Sequence, residues 1–122
     1  MTSIAIIGAS QNQDKYSNKA VKACKDAGLE VFPVNPNYQE VNGLRCYASI
    51  INIEEDLDFV SIYLPPEKGI ALVTDIVAKG IKKVILNPGA ESEELINALK
   101  KSGIEPLLIC TIISAKTLNG KT

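Results

Sequence analysis

The run Ile4-Ala5-Ile6-Ile7 stops at Gly8, and that ending limits what this chain can fold into more than any other feature. The run is too short for a helix and lacks the polar alternation of a half-solvated strand. It reads as a buried strand covered on both faces, as in a parallel sheet. Gly8-Ala9-Ser10 then offers a turn with little side chain in the way, polar residues follow from Gln11 to Tyr16, and a helix is expected from Ser17. Strand, glycine turn and helix start in succession are expected to gather free backbone N–H groups and the positive end of a helix dipole at one point, an arrangement suited to phosphate. Lys15, Ser17 and Lys19 are the candidate contacts for such an anion beside Gly8, Ala9 and Ser10. The plainer alternative is that Gly8 only turns the chain and the lysines form a solvated face.

The same pattern recurs down the chain. Ala20, Val21, Cys24 and Ala27 make a small-residue stripe on the first helix, closed by Gly28. Glu30 to Val34 is a second strand ending in Asn35-Pro36-Asn37-Tyr38, and Cys46 to Ile53 is a short helical or irregular connection. A third strand, Phe59 to Leu64, runs into Pro65-Pro66 and a helix to about Lys79 with an inward stripe of Ile70, Val73 and Ile76-Val77. Lys83 to Leu86 is a fourth strand before Asn87-Pro88-Gly89-Ala90. The helix from Ser92 to Ser102 has acids in its first turn, lysines in its last, and Gly103 behind it. Pro106 to Ile109 is the last strand, and the form of the chain from Thr111 is left open. Alternating strands and helices predict one α/β domain over residues 1–122, a doubly wound parallel sheet of Rossmann type with about five strands. Ligands of such sheets sit outside the carboxyl ends of the strands. Gly8-Ala9-Ser10, Asn35-Pro36-Asn37, Leu64-Pro65 and Asn87-Pro88-Gly89-Ala90 all fall there and read together as one groove.

Composition excludes several function classes. The 122 residues contain no histidine, which removes Ser-His and Cys-His nucleophiles, phosphohistidine and histidine metal sites. Cys24, Cys46 and Cys110 are odd in number and widely spaced, so neither a disulfide framework nor a zinc site is expected. Lysine, tyrosine or carboxylate catalysis stays formally open, but no pair of such groups has a spacing that asks for it. A net charge of −1 without a basic run argues against nucleic acid and anionic membranes as partners. No membrane span or signal peptide is indicated, and the expected compartment is the cytoplasm. The dinucleotide pattern wants G-x-G-x-x-G and a carboxylate about 20 residues further on. This chain has a single glycine in the loop and Asn35 at the end of the second strand, both against a nicotinamide or flavin dinucleotide.

The set Ile6-Ile7-Gly8-Ala9-Ser10, Asp14-Lys15, Ser17, Val34-Asn35-Pro36, Gly43 and Cys46-Tyr47, with Asn87 to Glu91 and Cys110-Thr111, resembles the stand-alone coenzyme A-binding domain family. These are small Rossmann-like proteins similar to the nucleotide-binding domain of succinyl-CoA synthetase. The resemblance implies strand order 3-2-1-4-5 and coenzyme A or an acyl-CoA as ligand. It places the Gly8 to Ser10 loop and Lys15 at the pyrophosphate, and Asn35, Pro36, Asn37 and Tyr38 beside the adenosine and its 3′-phosphate. Leu64, Pro65, Asn87, Pro88, Gly89 and Ala90 border the remaining edge. The synthetases also carry a catalytic histidine and an ATP-binding domain, which this sequence lacks, so the implied role is binding without catalysis, as a regulator or carrier. Tyr38 stands where the synthetases often carry a lysine. Two other classes stay in view: an NAD(H)-binding oxidoreductase or redox sensor, and a protein-interaction module with a vestigial groove. A homodimer or a separate protein partner is compatible with all three. Cys110 ends the last strand, where a coenzyme A thiol could arrive, and Lys121 is expected to take no part in binding.

Overall fold

The computed structural model describes residues 1–120; Lys121 lies outside the described residues. Its centre is the expected apolar run. β1 (Ser3–Ile7) is buried at every position, because strands pair with it on both edges and helices cover both faces. On one edge it pairs in parallel with β2 (Glu30–Val34), on the other with β5 (Phe59–Ile62). β6 (Lys83–Leu86) and β7 (Glu105–Leu107) continue the sheet beyond β5, also in parallel. A two-stranded antiparallel ribbon, β3 (Glu40–Val41) with β4 (Leu44–Arg45), stands apart from it.

The α/β fold is as expected, with one correction to the strand order. The sheet runs β2-β1-β5-β6-β7, so the five strands read from the sequence stand as 2-1-3-4-5, not 3-2-1-4-5. Phe59–Ile62 lies on the far side of β1, and the place outside β2 is taken by a single parallel bridge between Val34 and Tyr47. Order reverses at β1, which puts the switch point between the ends of β1 and β5, at Gly8 and Tyr63.

Alternation along the strands divides the core into two layers. Ile4 and Ile6 face Ala20, Val21 and Cys24 of α1 (Tyr16–Asp26) and Ala115 and Leu118 of α5 (Thr111–Leu118). Ala5, Ile7, Val60, Ile62 and Val84 face the opposite layer. That layer is built from α2 (Pro66–Ala71), α3 (Val73–Ala78) and α4 (Glu93–Lys101), with Ile76, Leu95 and Leu99 fully buried. The expected helix after Pro66 is interrupted at Leu72, and Val77 of its expected stripe is exposed, while Ile70 and Val73 pack on the core. The open question after Cys110 resolves as α5, which buries Thr111, Ala115 and Leu118 at helical spacing. α4 follows its sequence signals closely: the Ser92 hydroxyl accepts from the Leu95 amide at 3.0 Å, and Lys100 and Lys101 close the last turn. No helix among the described residues is long and apolar enough to cross a membrane.

Candidate functional site: a groove along the strand ends

The loop after β1 is fastened from several sides. Gly8, at φ +87°, and Ala9 both donate their amides to the Val34 carbonyl, at 3.0 and 3.2 Å, which ties this loop to the end of β2. Those two N–H groups are therefore spent inside the protein, a correction to the expectation that the glycine turn leaves them free. Asn35 pulls in the same direction: its side-chain amide donates to the Ala9 carbonyl at 2.8 Å, while its oxygen accepts from the Asn37 amide at 2.9 Å. On the other side Asn18, buried in α1, donates to the Ser10 carbonyl at 2.8 Å and to Asn42 at 3.0 Å. The Ser10 hydroxyl accepts from the Asn12 amide at 3.0 Å. A loop held in this way pays little ordering entropy when a ligand arrives.

What remains for an anion is the start of α1. Its N-cap is Lys15, which makes no side-chain cap, and the first turn carries no acid. The amides of Tyr16 and Ser17 have no hydrogen-bond partner among the described residues, and first-turn amides point along the helix axis toward this end. They open on a cleft of about 290 Å³ lined by Gly8, Asp14, Lys15, Tyr16, Ser17 and Tyr63. Lys15 and Ser17 are thus brought together with Gly8. Lys19 is not: its ammonium sits 5.5 Å over the Tyr16 ring and it lines a separate hollow with Lys22 and Lys25.

Two further clefts flank this one. The first, about 380 Å³, has an apolar floor of Ile7, Val34, Ile50, Leu64 and Leu72, with Asn35, Pro36 and Asn37 on its rim and Lys68 its cation. The second, about 270 Å³, lies between Ile62 to Pro65 and Asn87 to Ala90. Gly8 and Leu64 border the first cleft, Gly8 and Tyr63 the middle one, and Tyr63 and Leu64 the last, so the three share walls and form one groove over the ends of β1, β5 and β6. Tyr38 lines none of them and packs against the core layer of Ile4 and Ile6 instead. Ala9 and Ala90 are buried, with side chains serving the core. Ala48, Ser49, Ile50, Lys68 and Leu72 were not anticipated; Lys68 stands in α2, where no local sequence pattern marks it.

Asn87 lines the last cleft but works inward. It is 1% exposed; its amide donates to the Ser61 hydroxyl at 2.8 Å and the Ile62 carbonyl at 2.9 Å, and its oxygen accepts from the Thr111 amide at 2.9 Å. Ser61 and Thr111 in turn share a hydrogen bond of 2.7 Å. Beside this network the Tyr63 hydroxyl is buried without a partner among the described residues, and burial pushes its phenol well above the usual tyrosine range. Burial likewise pushes the Cys24 thiol up to about 12 and raises that of Cys46, so neither is a ready thiolate. Cys110 is half-buried at the N-cap of α5 and lines none of the three clefts.

Comparison with known proteins bears on the same region. The likeness runs through nearly the whole chain, and residues 2–116 match the family model described as the CoA binding domain. The ADP-forming acetate–CoA ligase of Methanocaldococcus jannaschii is 33% identical over 103 residues, covering 81% of this chain and 15% of the ligase. A conserved hypothetical protein from Pyrococcus furiosus superposes with a TM-score of 0.86 at 39% identity, covering 93% of this chain and 99% of that one. The dinucleotide-forming acetyl-coenzyme A synthetase 1 of Ca. Korarchaeum cryptofilum, in complex with phosphate and ADP, superposes at 0.77 with 26% identity, over 88% of this chain and 25% of the synthetase chain. This chain therefore spans a small part of the length of the ligase and the synthetase. With its sheet, its strand-end groove and a match from residue 2 to residue 116, the chain belongs to the CoA binding domain family.

Proposed function

We propose that this protein binds coenzyme A or an acyl-CoA in the groove and does no chemistry on it, acting as a regulator or carrier. The observation that carries the reading is the uncapped start of α1, where Lys15 and the amides of Tyr16 and Ser17 meet the middle of a groove that continues in both directions. A pyrophosphate belongs there. The apolar-floored cleft beside Asn35 to Asn37 takes the adenosine, and the cleft between Leu64 and Pro88 takes the pantetheine arm. The absence of histidine supports a role without catalysis, because the common proton-transfer residue near neutral pH is missing. The dinucleotide alternative lacks its ribose carboxylate: Asn35 stands at that point, and both ends of its amide are engaged within the protein.

Thermal unfolding with coenzyme A, acetyl-CoA, ATP and NAD tests this directly. A ligand at about 100 times its dissociation constant adds roughly 2.7 kcal/mol, several degrees for a domain of this size. Coenzyme A is expected to raise the midpoint and NAD to leave it unchanged; a shift with NAD alone would replace this reading with a dinucleotide one.

Lys15 gives a second prediction. A charge-assisted contact to the pyrophosphate makes Lys15→Ala bind coenzyme A about 10- to 100-fold more weakly at low salt, and the gap narrows as salt is raised. Titration calorimetry at two ionic strengths measures both effects. Equal affinities at low salt would make Lys15 a solvated loop residue and leave the anion to the helix amides.

A further inference from the structure

The groove holds cations at two separate places, and a ligand with a single pyrophosphate uses only one of them. Lys15 lines the middle cleft. Lys68, in α2, lines the apolar-floored cleft on the far side of Gly8 and Leu64. It is exposed, and no carboxylate among the described residues lies within 4 Å of its ammonium.

Two of the groups expected to meet a phosphate on this side are committed elsewhere. Tyr38 packs into the core layer of Ile4 and Ile6. The Asn35 amide is tied to Ala9 and its oxygen to Asn37. Lys68 is the one cation among the described residues lining this cleft, at the rim of a pocket whose floor suits a flat aromatic base. We infer that Lys68 is the residue that selects for a second phosphate on the nucleoside, so that the site discriminates coenzyme A from dephospho-coenzyme A. The inference rests on the coenzyme A reading and adds to it the residue that decides between two forms of the ligand. A compact ammonium on a flexible stem suits a terminal phosphate monoester, which presents its charge from many directions.

Titration calorimetry of the wild-type protein, Lys68→Gln and Lys68→Arg, each with coenzyme A and dephospho-coenzyme A, tests it. Because Lys68 is solvent-exposed, its contact is discounted for screening: the wild type is expected to prefer coenzyme A by about 10-fold. Lys68→Gln should lose that preference through weaker coenzyme A binding alone, with dephospho-coenzyme A binding unchanged, and Lys68→Arg should retain most of it. Ligand-free melting curves of all three should coincide, since an exposed substitution leaves the fold intact. Equal binding of both ligands by the wild type, or a loss in Lys68→Gln that is the same for both, overturns the inference while leaving coenzyme A as the ligand. Binding of neither ligand by the wild type overturns it together with the reading on which it rests.

Discussion

Gly8→Ala should cost this protein about 3–5 kcal/mol, a large part of the 5–15 kcal/mol typical of a folded domain. Two effects add. A side chain at Gly8 must hold φ near +87°, and its Cβ would lie 2.5 Å from the Tyr63 carbonyl oxygen and 3.1 Å from the Leu64 side chain. The carbonyl belongs to the chain leaving β5, where the Tyr63 amide bonds Ile7 at 2.9 Å, so it cannot step aside without parting two central strands. At roughly 4 °C per kcal/mol, the melting midpoint should drop by about 10–20 °C. Gly43→Ala separates the two effects, because Gly43 also has a positive φ, +79°, but nothing lies within 4 Å of its would-be Cβ. That variant carries the backbone strain alone, about 1–3 kcal/mol. Calorimetric melts giving equal losses for the two would show that the close approach of β1 and β5 is not what demands glycine at position 8.

This close approach explains why the most legible part of the sequence was also the centre of the fold. An apolar run ending at glycine is a local signal, and the constraint behind it, burial on both faces and contact with the next strand end, acts on those same residues. The same holds for α4, whose caps, charges and buried Leu95 and Leu99 all lie within one short segment. Strand order is different in kind. Whether Phe59–Ile62 pairs with β1 or lies beyond β2 depends on contacts between residues more than 50 apart, and no local pattern encodes it. α5 escaped notice because the apolar and polar residues of Thr111 to Leu118 do not sort onto separate faces: Thr111 is buried and Ile113 exposed, so the pattern that marks a surface helix from sequence is missing.

The groove was legible as a set of loops and not as a set of contacts. Gly8, Lys15, Ser17, Asn35 to Asn37, Leu64, Pro65 and Asn87 to Ala90 do meet along one edge. Residue type alone could not tell which of them face a ligand and which hold the edge together. Asparagine at a strand end serves either purpose, since it can bond a ribose or a neighbouring backbone with the same atoms. Asn35 and Asn87 take the second course, joining the loop after β1 to the end of β2 and the end of β6 to β5 and α5. Lys68 was overlooked for the opposite reason: an exposed lysine on a short helix carries no mark of its own, and only the neighbouring Ile50, Leu64 and Leu72 make its position distinctive.

Asn87→Ala puts that distinction to the test, with an expected loss of about 3–5 kcal/mol and no role for any ligand. Removing the side chain orphans the buried Thr111 amide and the Ile62 carbonyl, each worth about 1–3 kcal/mol when left unpaired, and opens a small cavity. Ser61 and Thr111 can still bond each other, which limits the damage to these groups. Asn87→Asp sharpens the comparison, because it keeps the acceptor for Thr111 and loses the donor to Ser61 and Ile62. At neutral pH it also buries a carboxylate facing the Ile62 carbonyl, so its folded-state pKa is raised above the unfolded carboxylate value near 4. The folded variant then binds the proton more tightly than the unfolded chain does. Relative to wild type, its stability is lowest above the raised pKa, recovers as pH falls through it, and levels off below about pH 4. Chemical denaturation of wild type, Asn87→Ala and Asn87→Asp between pH 4 and 8 measures each step. If Asn87→Ala unfolds within 1 kcal/mol of wild type while losing affinity for coenzyme A, then Asn87 faces the ligand after all, and the tie between β6, β5 and α5 is not what holds this edge of the groove in place.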